Sequence, residues 1–237
     1  MELTFLHHSA VAAAFDDTLL VFDYYKFDQG KTMKDGFIGD DDIRRFSRVY
    51  VFASHSHHDH YNRRVLDWAK SSENVTYILD DTIRKPKEDV RAVMMMRGDT
   101  FEEDGLFVRE FGSTDTGGSF YVEYNGTSLF HAGDLNFWHW RDEGDAEYSR
   151  QMAIDFDREM KFLRSHVERI DYAFFPVDKR MGSDYDEGAD MFIEMMRPKF
   201  FVPIHFVDYA DTEAFAKKHA GGKTTVITIR NNGQRLV

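Results

Sequence analysis

The chain of 237 residues is 42% apolar with a net charge of −12, the make-up of a globular protein with apolar mass for a substantial core. It has no cysteine, which excludes disulfides, thiolate metal sites, iron–sulfur clusters and cysteine nucleophiles, so any metal must be held by His, Asp or Glu. The acidic balance disfavours a nucleic-acid surface, which draws on clustered Lys and Arg, although a bound cation can reverse the local potential for a small phosphate ester.

From the amino end, "MELTFLHHSAVAAAFDDTLLVFDYY" breaks into short strand-like runs parted by "HHS" and by an Asp16-Asp17 turn, which predicts a meander. No stretch approaches the roughly 18 apolar residues needed to span a bilayer and the first ten lack a signal-peptide layout, so a soluble, cytoplasmic protein without a membrane partner is expected. "RVYVFASHSHHDH" is apolar from Val49 to Ala53 and then abruptly polar, the pattern of a buried strand ending at a functional loop. "NRRVLDWAKSS" fits a helix with Val65, Leu66 and Ala69 on one side, and "VTYIL" fits the next strand. "VRAVMMM", "LFVREF", "SFYVEY" and "TSLFHA" read as further strands; the methionines of "VMMM" suit core or a contact between copies in a homo-oligomer.

Residues 145–168 form the longest helical candidate, with Tyr148, Met152, Phe156, Met160, Leu163 and Val167 at spacings of three or four that predict a core-facing stripe. Beyond it "DYAFFPVD", "KFFVPIHF" and "TTVITI" read as strands, and "YDEGADMFIEMM" and residues 211–219 as helices. Strands first and then strands alternating with helices predict an α/β fold; with no repeat or linker, one domain over residues 1–237 is expected.

The chemistry concentrates at "SHSHHDHYN", residues 54–62, which holds four of the eleven histidines and an aspartate. In an extended segment His55 and His57 project to one side and can share a metal, and Asp59 and His60 follow after the chain turns. Two apolar runs end on further donors: "SLFHAGDLN" on Asp134 and "FFVPIHF" on His205.

His55-x-His57-x-Asp59-His60, then Gly133-Asp134, then His205 resemble the metallo-β-lactamase superfamily in motif and order. "LHHSAV", "LLVFD" ending at Asp23, "FHAGD" and "VPIHF" are similar to its branch of small metal-dependent hydrolases that includes the L-ascorbate-6-phosphate lactonase-like proteins. The resemblance implies a four-layer αβ/βα sandwich of two mixed sheets flanked by helices. It also implies two divalent metal ions as cofactors, zinc or else manganese or iron. His55 and His57 are then ligands of the first, Asp59, His60 and His205 of the second, and Asp134 bridges them; Asp59 and Asp134 thereby sit at the catalytic centre. The nucleophile it implies is a hydroxide bridging the ions.

Where the family usually has a third histidine, this chain reads "FGSTDTGGSFYV", with Asp115 either a ligand or a turn residue. As a ligand it hardens the site and favours manganese or iron relative to zinc. His8 and Ser9 match the early "HS" of the branch and make His8 a candidate for substrate contact. His139, between Trp138 and Trp140, and Lys179, beside Arg180, are the other substrate-binding candidates, a wall and an anion clamp. His58 is expected to face outward, and His131 to be a buried strand histidine or to orient a neighbour.

The expectation is a dinuclear hydrolase of a small-molecule ester-like bond, with phosphodiesters and lactones ahead of β-lactams. The alternatives are a non-haem iron redox enzyme on the same fold and a non-catalytic metal-binding module.

Overall fold

The computed structural model describes residues 1–28, 31–87 and 89–237. They form two compact units, residues 1–95 with 230–237, and residues 96–229.

The first unit is a seven-stranded mixed sheet. β1 (Glu2–His7), β2 (Ala10–Ala14) and β3 (Thr18–Phe22) form the expected antiparallel meander, and β4 (Arg48–Ala53), β5 (Val75–Asp80) and β6 (Arg91–Met95) continue it in parallel. Parallel neighbours need crossovers; between β3 and β4 the chain passes through α1 (Asp40–Arg44), and between β4 and β5 through a 3-10 helix, Arg63–Lys70. That segment is tighter than the predicted α-helix because the Tyr77 hydroxyl donates to the Val65 carbonyl at 2.8 Å and withdraws it from a helical ladder. Val65, Leu66 and Trp68 are buried beneath it, and Ala69 is half-buried. The closing strand Gln234–Arg235 pairs antiparallel with β1. In the register of β3 on β4, Phe22 lies opposite Phe52 with rings stacked 4.5 Å apart, so the residues just beyond, Asp23 and Ser54, leave the sheet side by side.

The second unit repeats this arrangement, an antiparallel meander followed by parallel strands. β7 (Thr100–Glu103), β8 (Leu106–Gly112), β9 (Gly118–Tyr124) and β10 (Thr127–His131) run antiparallel, and β11 (Tyr172–Pro176), β12 (Phe200–Ile204) and β13 (Thr225–Val226) continue in parallel. The crossovers are α2 (Ala146–His166), α3 (Glu187–Met196) and α4 (Tyr209–Lys218). Phenylalanines dominate the core of this unit: Phe130, Phe156, Phe175, Phe192, Phe201 and Phe215 are fully buried together, and Phe175 and Phe192 approach to 4.5 Å.

The α2 stripe holds at Phe156, Met160, Leu163 and Val167, but Tyr148, in the first turn, is 43% exposed. The predicted strand "TTVITI" shortens to two residues because the Thr212 hydroxyl takes both backbone groups of Ile229, at 3.0 and 2.9 Å, in place of a ladder.

Candidate metal centre

In the first unit β4 delivers the histidine string at its carboxyl end. His55 and His60 are buried and His57 is exposed; the ring of His55 lies 4.5 Å from that of His57 and 4.2 Å from that of His60. The His60 and Tyr61 amides donate to the His57 carbonyl at 3.1 and 2.9 Å, the turn that folds the string back. The His58 side chain is 96% exposed and points outward, as expected.

The tautomers follow from the hydrogen bonds. Asp23 accepts from the Ser54 amide at 2.8 Å, from the Ser54 hydroxyl at 2.7 Å and from Nδ1 of His60 at 2.7 Å. A carboxylate only accepts, so the Ser54 proton points to Asp23 and Nδ1 of His60 is protonated. The Ser54 oxygen is then an acceptor for Nδ1 of His55 at 3.0 Å. One carboxylate thus sets both imidazoles with Nε2 as the lone-pair nitrogen, the arrangement that metal-ligating histidines use.

His8 enters from the β1–β2 turn with its Nε2 3.5 Å from Asp59, and the hydrogen bond to His8 is the main reason the Asp59 carboxyl is held well below the usual carboxylate range. His8, Asp59 and His60 offer donor atoms within 4.8 Å of one another. Burial first, and then the Asp59 charge, push the Tyr25 phenol up to about 12, so it remains a proton donor at neutral pH.

In the second unit Asp134 follows β10 through Gly133, which adopts φ +53 and whose amide donates to Nδ1 of His131 at 3.2 Å. His131 is therefore both a buried strand residue and an orienting one. His205 follows β12, with its Nε2 3.6 Å from Asp134 and its Nδ1 2.9 Å from the buried carboxylate of Asp178. Arg180 binds Asp178 through Nε at 2.9 Å and through Nη2. Burial raises the Asp178 carboxyl, but the bonds from His205 and Arg180 outweigh it and hold it at about 2. Asp115 is exposed and offers a carboxylate oxygen within 4.8 Å of one on Asp134. Its turn is closed by Ser113, whose hydroxyl accepts the Asp115 amide at 3.2 Å, so the carboxylate is not needed as a cap.

The profile of the β-lactamase superfamily domain matches residues 2–205. The chain belongs to that superfamily. Most of its members are metal-dependent hydrolases. Solved structures agree on the fold. Igni18, a metallo hydrolase from Ignicoccus hospitalis, shares 18% identity over 99% of this chain and 96% of its own, with a TM-score of 0.68. The metallo-β-lactamase fold protein YhfI from Bacillus subtilis shares 10% over 99% and 98%, with a TM-score of 0.64. CmlA, a diiron β-hydroxylase from Streptomyces venezuelae, shares 13% over 99% of this chain and 53% of CmlA, with a TM-score of 0.63. Comparison with curated proteins finds no match. The two mixed sheets with flanking helices are those of the metallo-β-lactamase fold.

Two candidates on this superfamily fold are engaged by the chain itself. His139 is buried, with Nε2 3.1 Å from the Asp184 carbonyl and Nδ1 accepting the Arg141 amide at 3.2 Å, so it braces its loop. Lys179 reaches Asp211 at 2.8 Å. The partners that motif reading left without a role are Asp23, Ser54 and Asp178; Ser54 and Asp178 were marked only by a position one or two residues past a buried strand, and Asp23 also by ending the "LLVFD" motif. Three residues of these sets, His8, Asp23 and His205, have left-handed backbones at φ 49, 47 and 57. Such strain costs on the order of 1–3 kcal/mol each and concentrates at functional positions.

Proposed function

We propose that the chain is a metal-dependent hydrolase of ester-like bonds, of the lactonase-like branch its motifs resemble, with His55, His57, Asp59, His60, Asp134 and His205 as metal ligands and Asp115 as an added carboxylate. The observation that carries this reading is the anchoring of three imidazoles through Nδ1: His55 by Ser54, His60 by Asp23 and His205 by Asp178. Each is thereby set to present Nε2, and nitrogen and carboxylate donors without thiolate suit zinc, manganese or iron. When bound, such ions supply Lewis acidity and a water acidic enough to attack at neutral pH. Asp23 and Asp178 fix ring orientation and increase ligand basicity. The protonated Tyr25 phenol, close enough to Asp59 to feel its charge, can donate a hydrogen bond to a developing oxyanion or leaving group.

The test is elemental analysis with activity. The purified protein should carry up to two divalent ions, and hydrolysis of an activated ester, lactone or phosphodiester should vanish on chelation and return with metal. Absence of metal after reconstitution with zinc, manganese and iron would overturn the reading.

A redox role has one supporting observation: three hard carboxylates, Asp59, Asp115 and Asp134, in the donor set, which also fits iron. Iron retained in preference to zinc, with metal-dependent oxygen consumption and no hydrolysis, would favour it.

A further inference from the structure

The loops that carry Asp134 and His205, with the first turns of the helices that follow them, carry most of the second unit's exposed large apolar side chains. Trp138 ties its indole nitrogen to the Asp134 carbonyl at 2.7 Å, lies edge-on to His205 at 5.6 Å and stacks at 6.3 Å on the half-exposed Trp140. Past His205, Phe206 packs on Tyr209 at 5.5 Å, with Val207 between them 65% exposed and Tyr209 36% exposed. Tyr148 completes the group: a side chain on Gly144 would meet both the Trp140 carbonyl and the Tyr148 ring, at 3.0 and 3.6 Å, and the Tyr148 phenol feels the charge of Asp115. Among the described residues of this unit, the other exposed large apolar side chains are Met96 and Ile154, so three of five lie on the loop after His205 or in the first turn of the helix that follows each ligand loop. Apolar area gathered beside candidate metal ligands marks a ligand surface more than chance exposure does.

The cations borne by the neighbouring loops are committed. Arg141 faces Asp184 at 3.2 Å and Glu187 at 2.6 Å, Lys179 faces Asp211 at 2.8 Å, and Arg180 grips Asp178. A phosphate group is held by charge-assisted donors from Arg or Lys, and these three already serve carboxylates.

We propose that the substrate is a neutral ester or lactone carrying an alkyl or aryl group, and that this group lies on the edge formed by Trp140, Val207 and Tyr209. The inference rests on the hydrolase reading and narrows its substrate class away from phosphate esters. In the reaction the oxygen of water bonds to the acyl carbon and the acyl C–O bond breaks. The alcohol leaves with one proton, and the acid is released as carboxylate and a second proton. Apolar contact next to the acyl carbon should make kcat/KM rise roughly three- to fourfold per buried methylene until the edge is covered.

The experiment uses the metal-reconstituted protein with p-nitrophenyl acetate, butyrate and hexanoate, and with bis(p-nitrophenyl) phosphate. Expected are a rise of tenfold or more from acetate to hexanoate, rates on hexanoate above those on the phosphodiester, and a flattened chain-length dependence in Trp140→Ala and in Val207→Asp. Val207 is exposed enough for its variant to fold. Metal-dependent turnover with a flat chain-length profile, or a preference for the phosphodiester, overturns the substrate class and leaves the hydrolase reading intact. If no ester, lactone or phosphodiester turns over, the hydrolase reading fails, and hexanoate binding decides the edge separately. Saturable quenching of tryptophan fluorescence that is lost in Trp140→Ala supports the apolar site, and no quenching in the unmodified protein overturns it.

Discussion

The hydroxyl of Ser54 stands between two imidazoles and a carboxylate: it donates to Asp23 and accepts from His55, while Asp23 also holds His60. Removing it leaves Asp23 with the Ser54 amide and His60, and leaves Nδ1 of His55 without that acceptor, so its two tautomers become closer in energy. Ser54→Ala should therefore fold and weaken metal binding about tenfold, the lower end of what supporting residues around metal ligands contribute. Asp23→Asn should cost more, because the amide cannot accept from all three donors at once. Metal titration against a chromophoric chelator measures both, and unchanged affinity in both would show that the imidazoles need no such orientation. Asp115 is tested in the same titration: Asp115→Ala should lower affinity at one site only, and Asp115→His should restore it and move the preference toward zinc.

At the scale of elements, β10 and β11 are joined by more than their ladder. Asp171, just before β11, accepts from the Ser128 amide and hydroxyl at 3.0 Å each, and Arg169 grips it at 2.6 and 2.8 Å. Burial raises its carboxyl, but the bonds from Ser128 and Arg169 win and hold it below the usual carboxylate range. A carboxyl depressed in the folded state stabilises fully above its unfolded value, near 4, and loses that contribution as pH falls through the lower folded value. Asp171→Asn should cost about 1–2 kcal/mol at pH 7, the scale of a buried charge-assisted bond. It should also make stability fall less steeply below pH 4. Urea denaturation of both proteins from pH 2.5 to 7 checks it, and parallel curves would refute the coupling.

For the whole molecule, the proposed metal would act as a ligand of the folded state, because the loops that present the donors are ordered only there. Saturation a hundredfold above the dissociation constant adds about 2.7 kcal/mol. For a chain of this size that corresponds to a Tm about 5–10 °C higher with metal than with chelator. Calorimetry should show this difference shrinking in His55→Ala and His205→Ala. The same Tm with and without metal would mean that the donors bind no ion in the folded chain. No helix among the described residues is long and apolar enough to cross a membrane.

Features that depend on neighbours along the chain were legible in the amino-acid order. The alternation and apolar runs placed most strands, the stripe of Phe156, Met160 and Leu163 placed the buried face of α2, and the spacing of His55 and His57 placed two imidazoles on one side of a strand end. These patterns arise from the periods of strand and helix, which are local. The short polar strands β7 and Gln234–Arg235 lacked that pattern, because they are specified by their partners across the sheet. What secures the donors was likewise decided in three dimensions. Asp23 reaches Ser54 and His60, over thirty residues away, because the parallel register sets Phe22 against Phe52. Asp178 reaches His205 because Pro176 lies opposite Ile204. Lys179 was legible as a cation, but only the folded chain brought Asp211 to it, since a charge shows its sign in the sequence and its partner only in the tertiary structure.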